Sequence, residues 1–231
     1  MEKVEKHLGG IPEPTLRRLP KYIDLLKRLQ STNVKYVSSN YIADKLNLDS
    51  IQVRKDLAIT GIIGKPKLGF DLDELIRSLN HTLNWDNLND AFLVGIGSLG
   101  SAIIGYRAFS SYGLNIVAAF DNDPEKIGKT VNGIEILPVT KLGEMIRRMK
   151  INIGILTVPA EDAQTVAEEM AEAGISAIWN FAPTHLKVSK DVIIENAQLT
   201  QSLGVLTHKL AEKLKKDSLL IFNNSPYAVN S

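Results

Sequence analysis

Gly95, Gly97 and Gly100 stand at the spacing G-x-G-x-x-G, directly after the apolar run AFLV and at the head of the stretch SLGSAII. In that strand-then-helix context the first glycine permits a tight turn. The second lets a pyrophosphate approach the backbone, and the third lets helix and strand pack closely. The N–H groups of the first helical turn, at Ser98, Leu99 and Gly100, then face phosphate oxygens. Asp121 follows the apolar run NIVAAF, 21 residues beyond Gly100. A carboxylate there accepts hydrogen bonds from an adenosine ribose and repels a 2′-phosphate, which favours NAD(H) over NADP(H).

A second set of residues could meet phosphates of another kind. Gln52, Arg54 and Lys55 lie in SIQVRKDLAIT, and Lys65 and Lys67 flank Pro66 in a glycine-punctuated segment, GIIGKPKLGF. Residues 1–70 hold 13 Lys/Arg against 7 Asp/Glu, an excess of 6, in a chain whose total is +1, so the remainder carries −5. A basic front points nucleic-acid contact to that end. Chemistry of bond making is poorly supplied. There is no cysteine, hence no disulfide, thiolate zinc site or cysteine nucleophile. Of His7, His81, His185 and His208, only His185 follows a strand end in the glycine-motif half, and no paired carboxylates or metal cluster stand out. The expectation is a binding protein and not an enzyme. An NAD-dependent oxidoreductase using His185 or Tyr106 as proton donor is the alternative, together with a nucleotide- or CoA-binding module.

These residues need elements to hold them. Residues 12–30 carry Leu16, Leu19, Ile23, Leu26 and Leu29 at helical spacing, with Pro20 requiring a kink or a late start. A short extended piece leads to Ser38 or Ser39, either of which can cap a helix that turns Ile42 and Leu46 inward. After the LNLD turn, residues 50–60 form a second helix, with Ile51, Val53, Leu57 and Ile59 supplying its apolar contacts. Gly61, Gly64 and Gly69 then frame a hairpin with a basic tip, and residues 71–90 give an amphipathic linker helix and a polar break. Helix, turn, helix and basic hairpin are the parts of a winged helix-turn-helix, whose second helix enters the major groove. From residue 91 strands and helices alternate: AFLVGI, GSLGSAIIGYRAF, NIVAAF, EILPV, TKLGEMIRRM, INIGILTV, AEDAQTVAEEMAEAG and SAIWNF. That rhythm predicts a parallel sheet covered on both faces. The fold class expected is α/β: a winged-helix domain over 1–85, a Rossmann-like domain over 86–196, and a C-terminal helix and loosely ordered tail over 197–231. No run approaches a membrane span and the N-terminus lacks a secretory pattern, so a cytoplasmic location is expected.

Along roughly residues 11–215 the chain resembles the Rex family of redox-sensing transcriptional repressors. Six ordered stretches carry the resemblance: IPEPTLRRLPKYIDLLKRL, VSSNYIADKLNLDSIQVRKDL, LVGIGSLGSAI, VAAFDNDPEKIGK, ILTVPAEDAQTVAEEMAEAGI and IWNFAP. The resemblance implies a homodimer on palindromic operator DNA, released when NADH replaces NAD+. It also implies a C-terminal helix exchanged between subunits, with Gln198 to about Leu214 on the partner. Gln52, Arg54 and Lys55 fall on the recognition helix, Lys55 reaching a base edge. Arg18 and Ser38 or Ser39 fall on phosphate contacts, and Lys65 and Lys67 on the wing. Gly95, Gly97, Ser98, Leu99, Gly100, Asp121 and Lys126 fall on dinucleotide-binding positions, as do Thr157, Val158 and Asn180. Tyr106, Pro159, Phe181 and Ala182 fall near the nicotinamide.

The chain also departs from the family. The usual wing G-K-R-G-x-G-Y reads GKPKLGF, so Pro66 replaces an arginine and Lys67 a glycine, and S-Y-F-G becomes AITG. Members that sense NADH pair an arginine of the first helix with an aspartate of the exchanged helix. Asp24 and Gln198 stand at those positions here, and Leu199 replaces a phenylalanine found in some members. An ion pair made in one state only biases a two-state equilibrium by a few kcal/mol, so its loss predicts weaker coupling or coupling through other contacts.

Overall fold

Pro20 decides where the first long helix begins. In a computed structural model, which describes residues 10–197 and 199–223, the stretch forms two helices, α1 (Glu13–Leu16) and α2 (Leu19–Gln30), the late start of the two readings that Pro20 left open. Pro20 sits in the first turn of α2, where its missing N–H costs no helical bond. Strand β1 (Tyr36–Val37) leads to α3 (Ser39–Leu46), and the cap is settled in favour of Ser38, whose Oγ accepts the Tyr41 N–H at 3.1 Å. Asp49 caps α4 (Ser50–Ile59) in the same way through the Ile51 N–H. Strand β2 (Phe70–Asp71) returns antiparallel to β1, and Asp71 caps α5 (Leu72–Thr82).

Helix α5 is more than the linker expected from its sequence. Leu72, Leu75, Ile76 and Leu79 are buried in one core with Leu19, Tyr22, Ile23 and Leu26 of α2 and Val53 and Leu57 of α4. The small hairpin expected between α4 and β2 is closed by one bridge, Lys65 to Gly69. Three glycines and a proline within nine residues leave little strand-forming backbone there. This first unit comprises the chain up to Asn89 together with Arg107–Asn115. The second piece joins it because Tyr112 packs on Trp85 (4.6 Å between ring centroids) and lies under the Lys27 ammonium.

The second unit is built on a sheet of β3 (Asn89–Val94), β4 (Leu114–Asp121), β5 (Thr130–Val131), β6 (Ile134–Pro138), β7 (Ile153–Leu156), β8 (Ala177–Asn180) and β9 (Ile193–Asn196). Its order is β5-β6-β4-β3-β7-β8-β9. β4 pairs with β6, β3 with β7, β7 with β8 and β8 with β9, all in parallel, while the small β5 runs antiparallel on the edge. Setting β5 aside, the order reverses at β3, which is the dinucleotide-fold arrangement with its crevice at the C-terminal ends of β3 and β7. Ala91 to Val94 and Ala118 to Phe120 are buried without interruption, so both faces of the central strands are covered. β5 and β9 were not anticipated. β5 has two residues, and β9, IIEN, is mostly exposed, so neither shows the apolar run by which its neighbours are read.

Helices α6 (Ser98–Gly105), α7 (Leu142–Met149) and α8 (Ala160–Glu172) connect the strands. α6 stops four residues short of the expected end at Phe109, because Tyr106 leaves helical dihedrals and Arg107–Tyr112 forms a separate 3-10 turn in the first unit. The last element, α9 (Leu199–Asn223), exposes every residue from Thr200 to Asp217. The helix expected to end near residue 217 continues to Asn223, and the rest of the tail expected to be loose, from 224 onward, lies outside the described residues, as does Gln198. No helix among the described residues is long and apolar enough to cross a membrane.

Candidate functional site

The glycine turn leaves β3 at Val94 and enters α6 at Ser98. Gly95 has φ 96°, and a Cβ on it would lie 2.8 Å from Val158 and 2.9 Å from the Thr157 carbonyl. A Cβ on Gly100 would collide with the Gly95 carbonyl oxygen, so α6 packs against the turn as closely as backbone permits. On Gly97 a Cβ would meet nothing within 4 Å. Gly97 is the N-cap of α6 and offers no side-chain oxygen, so no side-chain cap occupies the first-turn N–H groups of Ser98, Leu99 and Gly100, which could hold phosphate oxygens.

Asp121 ends β4 beside this turn and is 5 % exposed. Its Oδ2 accepts the Ile96 N–H at 2.7 Å and the Lys126 ammonium at 3.2 Å, and its Oδ1 accepts the Asp123 N–H at 2.9 Å. Burial pushes this carboxyl up, but the N–H donors of Asp123 and Ile96 and the charge of Lys126 outweigh it and hold it below its ordinary value. The residue read as a ribose acceptor thus also pins the glycine turn to the end of β4. Thr157 does similar work from β7, its hydroxyl lying 3.0 Å from the Val94 and 2.7 Å from the Gly95 carbonyl oxygens.

At the end of β8 the buried Asn180 organises the following turn. Its Nδ2 donates to the Thr184 carbonyl (3.0 Å) and to Asn196 Oδ1 (2.8 Å), while its Oδ1 accepts the Ala182 N–H (3.0 Å). Phe181 packs on Trp179 with ring centroids 4.7 Å apart, and Ala182 is buried. The ends of β3, β4, β7 and β8 therefore bring Gly95 to Gly100, Asp121, Lys126, Thr157 to Pro159 and Asn180 to Ala182 to one edge of the sheet. Tyr106 is not brought there: it caps the C-terminal end of α6, about 12 Å along the helix from its first turn. His185 is exposed in the loop after this turn.

In the first unit Arg54 and Lys55 are exposed on α4, and Ser38 is exposed at the cap of α3, with Ser39 half-buried behind it. Lys65 and Lys67 are exposed on the wing, where the Lys65 ammonium lies 3.3 Å from the Tyr36 hydroxyl. That contact raises the Lys65 ammonium above its usual range. Two residues read as DNA contacts are committed inward. Arg18 makes a bidentate pair with Asp56 (Nε–Oδ2 2.6 Å, NH2–Oδ1 2.8 Å), and Gln52 donates to Asp56 Oδ1 at 2.9 Å. Thr15 and Tyr22 complete the cluster at 3.0 and 2.6 Å. The hydrogen bond to Asp56 raises the Arg18 guanidinium further, and burial beside Asp56 raises the Tyr22 hydroxyl. Asp56 is the residue that reading by motif missed. Its signal was a carboxylate between Val53 and Leu57 on the inward face of the helix. Ile51, read as a core contact, is 55 % exposed, a correction: it falls on the face that carries Arg54 and Lys55.

Residues 86–184 match the family described as "CoA binding domain", and residues 10–58 match the one described as "Putative DNA-binding protein N-terminus". The redox-sensing transcriptional repressor Rex of Carboxydothermus hydrogenoformans is 44 % identical over 203 residues, covering 87 % of this chain and 96 % of that protein. The Rex protein of Bacteroides fragilis is 40 % identical over 200 residues, covering 87 % and 91 %. Among solved structures, RSP, described as a Rex-family repressor, matches in its complex with beta-NAD+ and operator DNA at a TM-score of 0.84 and 36 % identity, covering 91 % of this chain and 97 % of that one. Its complex with beta-NADH matches at 0.81 and 35 %, covering 90 % and 98 %.

Proposed function

This chain belongs to the Rex family of redox-sensing transcriptional repressors, and on that premise we propose that it is a homodimeric repressor that binds operator DNA and lets go of it when NADH is bound. The observation that carries this reading is that the relatives match both units at once, over 84–91 % of the chain. Four ends of the second unit's sheet bear groups suited to a dinucleotide. The first-turn donors of α6 take the pyrophosphate, the open side of Gly97 admits it, and Asp121 addresses the adenosine ribose. Phe181 and Ala182 lie on the far side of the switch point, where the nicotinamide end belongs. A bound nicotinamide would supply the redox signal, since its two states differ in charge and planarity.

In the first unit Lys55 and Arg54 face the major groove from α4. Ser38, Lys65 and Lys67 meet phosphates, which position the protein without reading sequence. Arg18 and Gln52 act through Asp56 to hold α4 in place. The apolar side of α9 is the dimer contact, and the cytoplasm is where such a protein works. The relatives named above are repressors, which favours this reading over an oxidoreductase. Coenzyme A, suggested by the domain description, carries a 3′-phosphate on the ribose that Asp121 would repel.

The test is fluorescence anisotropy on palindromic duplexes enriched by the chain from a random pool, with NAD+, NADH and coenzyme A added separately at fixed salt. NADH is expected to raise the apparent Kd for DNA and NAD+ to leave it unchanged. Asp24 is exposed on α2 and its expected partner position, Gln198, lies outside the described residues. DNA binding that ignores NADH would therefore leave a repressor whose switch went with the missing ion pair. Failure to enrich any duplex would sink the DNA reading.

A further inference from the structure

The exposed face of α4 carries Ile51, Arg54, Lys55 and Ala58, spaced i, i+3, i+4 and i+7. Three of these suit a groove of any sequence. Ile51 does not: a large aliphatic side chain, 55 % exposed in the first turn of an otherwise basic face, has no part in the core formed by Val53 and Leu57. Scattered exposed apolar residues are common, so its place decides the matter. The first turns of a recognition helix are the ones that reach base edges. Two of the other groups that could read bases there are drawn away. The Gln52 amide, suited to adenine, is held on Asp56 at 2.9 Å. Arg54 Nε donates to the Ser50 carbonyl at 3.3 Å, which leaves its two terminal amino groups for the groove. Asp49 is spent on the cap. Ile51 remains beside Arg54 and Lys55 on the same face, with Lys55 one turn further on.

The major groove offers one apolar feature to such a side chain, the C5-methyl of thymine. We propose that Ile51 is a specificity-determining residue that packs on a thymine methyl in each operator half-site. The thymine lies within about two base-pair steps of the base that Lys55 addresses, since positions four apart on a helix are about 6 Å apart along its axis. The proposal rests on the DNA-binding reading above and adds to it the base that α4 selects.

The test pairs two deletions of the same contact. Duplexes are first enriched from a random pool by the full chain, and each thymine of the half-site is then replaced singly by deoxyuridine, which removes the methyl and nothing else. Affinities are measured for the wild type and for Ile51→Ala. One position is expected at which deoxyuridine weakens the wild type about 3–10-fold. Ile51→Ala weakens the thymine duplex by a similar factor and is indifferent to the replacement. Since Ile51 lies outside the core, the variant keeps the wild-type melting temperature, which separates loss of reading from loss of fold. The inference is overturned if no thymine responds in the wild type, or if Ile51→Ala remains as sensitive as the wild type. A pool that enriches nothing overturns the DNA reading itself, so the two failures are distinct.

Discussion

Four side chains from three stretches of the first unit, Thr15, Arg18, Tyr22 and Gln52, donate to the one carboxylate of Asp56. Burial alone would raise that carboxyl. The donors, Arg18 first among them, more than offset this and bring it from 3.8 to about 2. A depressed carboxylate contributes stability in full above its unfolded value and loses it as the pH falls through the folded one. Here the window runs from about pH 4 down to pH 2, and the shift corresponds to about 2 kcal/mol. Asp56→Ala leaves the Arg18 charge and the Tyr22 hydroxyl without their acceptor, a loss of about 3–5 kcal/mol at neutral pH. Urea unfolding of the full chain should show that gap, and show it narrowing by about 2 kcal/mol between pH 4 and pH 2. A gap that is constant with pH would mean that the carboxylate is not the charged partner of Arg18. Asp121 is the matching residue of the second unit. Because it pins Ile96, Asp121→Ala is expected to weaken NADH binding tenfold or more even if the ribose never touched it. Calorimetric titration reads that loss. An unchanged affinity would place the dinucleotide elsewhere.

The wing shows what an element demands of its sequence. Leu68 N–H closes a turn on the Lys65 carbonyl at 3.1 Å, with Pro66 and Lys67 as its central residues. Lys67 adopts φ 62°, a left-handed conformation that costs a side chain about 1 kcal/mol and glycine nothing. Lys67→Gly should therefore raise the stability of the chain by up to about 1 kcal/mol while lowering the salt dependence of DNA binding by about one counterion. A steeper salt slope, or an unchanged one, would remove Lys67 from the phosphate contacts. Gly69 has the opposite constraint. At φ 95° its Cβ would collide with the Val37 carbonyl oxygen, so Gly69→Ala should lift the wing from β1 and weaken DNA binding without changing NADH affinity. Most elements could be read from the chain because each shows its own pattern, an unbroken apolar run in AFLV or leucines at helical spacing in α2. What could not be read is non-local. Pro20 alone does not choose between a kink and a late start. Nothing local says that α5 closes the first core, or that Arg18 and Gln52 would be held by a carboxylate 38 and 4 residues away. The glycine turn was legible because its demands are made within six residues. The hub of Asp56 was not, since its partners meet only on folding.

At the scale of the molecule, charge and apolar surface are distributed so that this chain is incomplete alone. The excess positive charge lies in the first 70 residues, while α9 exposes Leu203, Val205, Leu206, Leu210 and Leu214, each more than half accessible. Leu203, Leu206, Leu210 and Leu214 recur at intervals of three and four, so they form one stripe along the helix. A helix with such a stripe and no cover has little reason to persist in water, since helices draw most of their stability from the packing of an apolar face. A second copy of the chain offers the same stripe, and a two-fold contact would match it to itself. A two-fold protein reads two half-sites one or more helical turns apart, and engagement of one half-site raises the effective concentration of the second recognition helix at the other. Replacing Leu206 and Leu210 by lysine sets four positive charges across that contact in a dimer. Analytical ultracentrifugation at micromolar concentration should show the wild type as a dimer and the double variant as a monomer. The monomer keeps the glycine turn and should still bind NADH, but on a palindrome it should lose most of its affinity and the dependence on half-site spacing. A double variant that remains dimeric and still distinguishes spacings would move the two-fold contact away from α9.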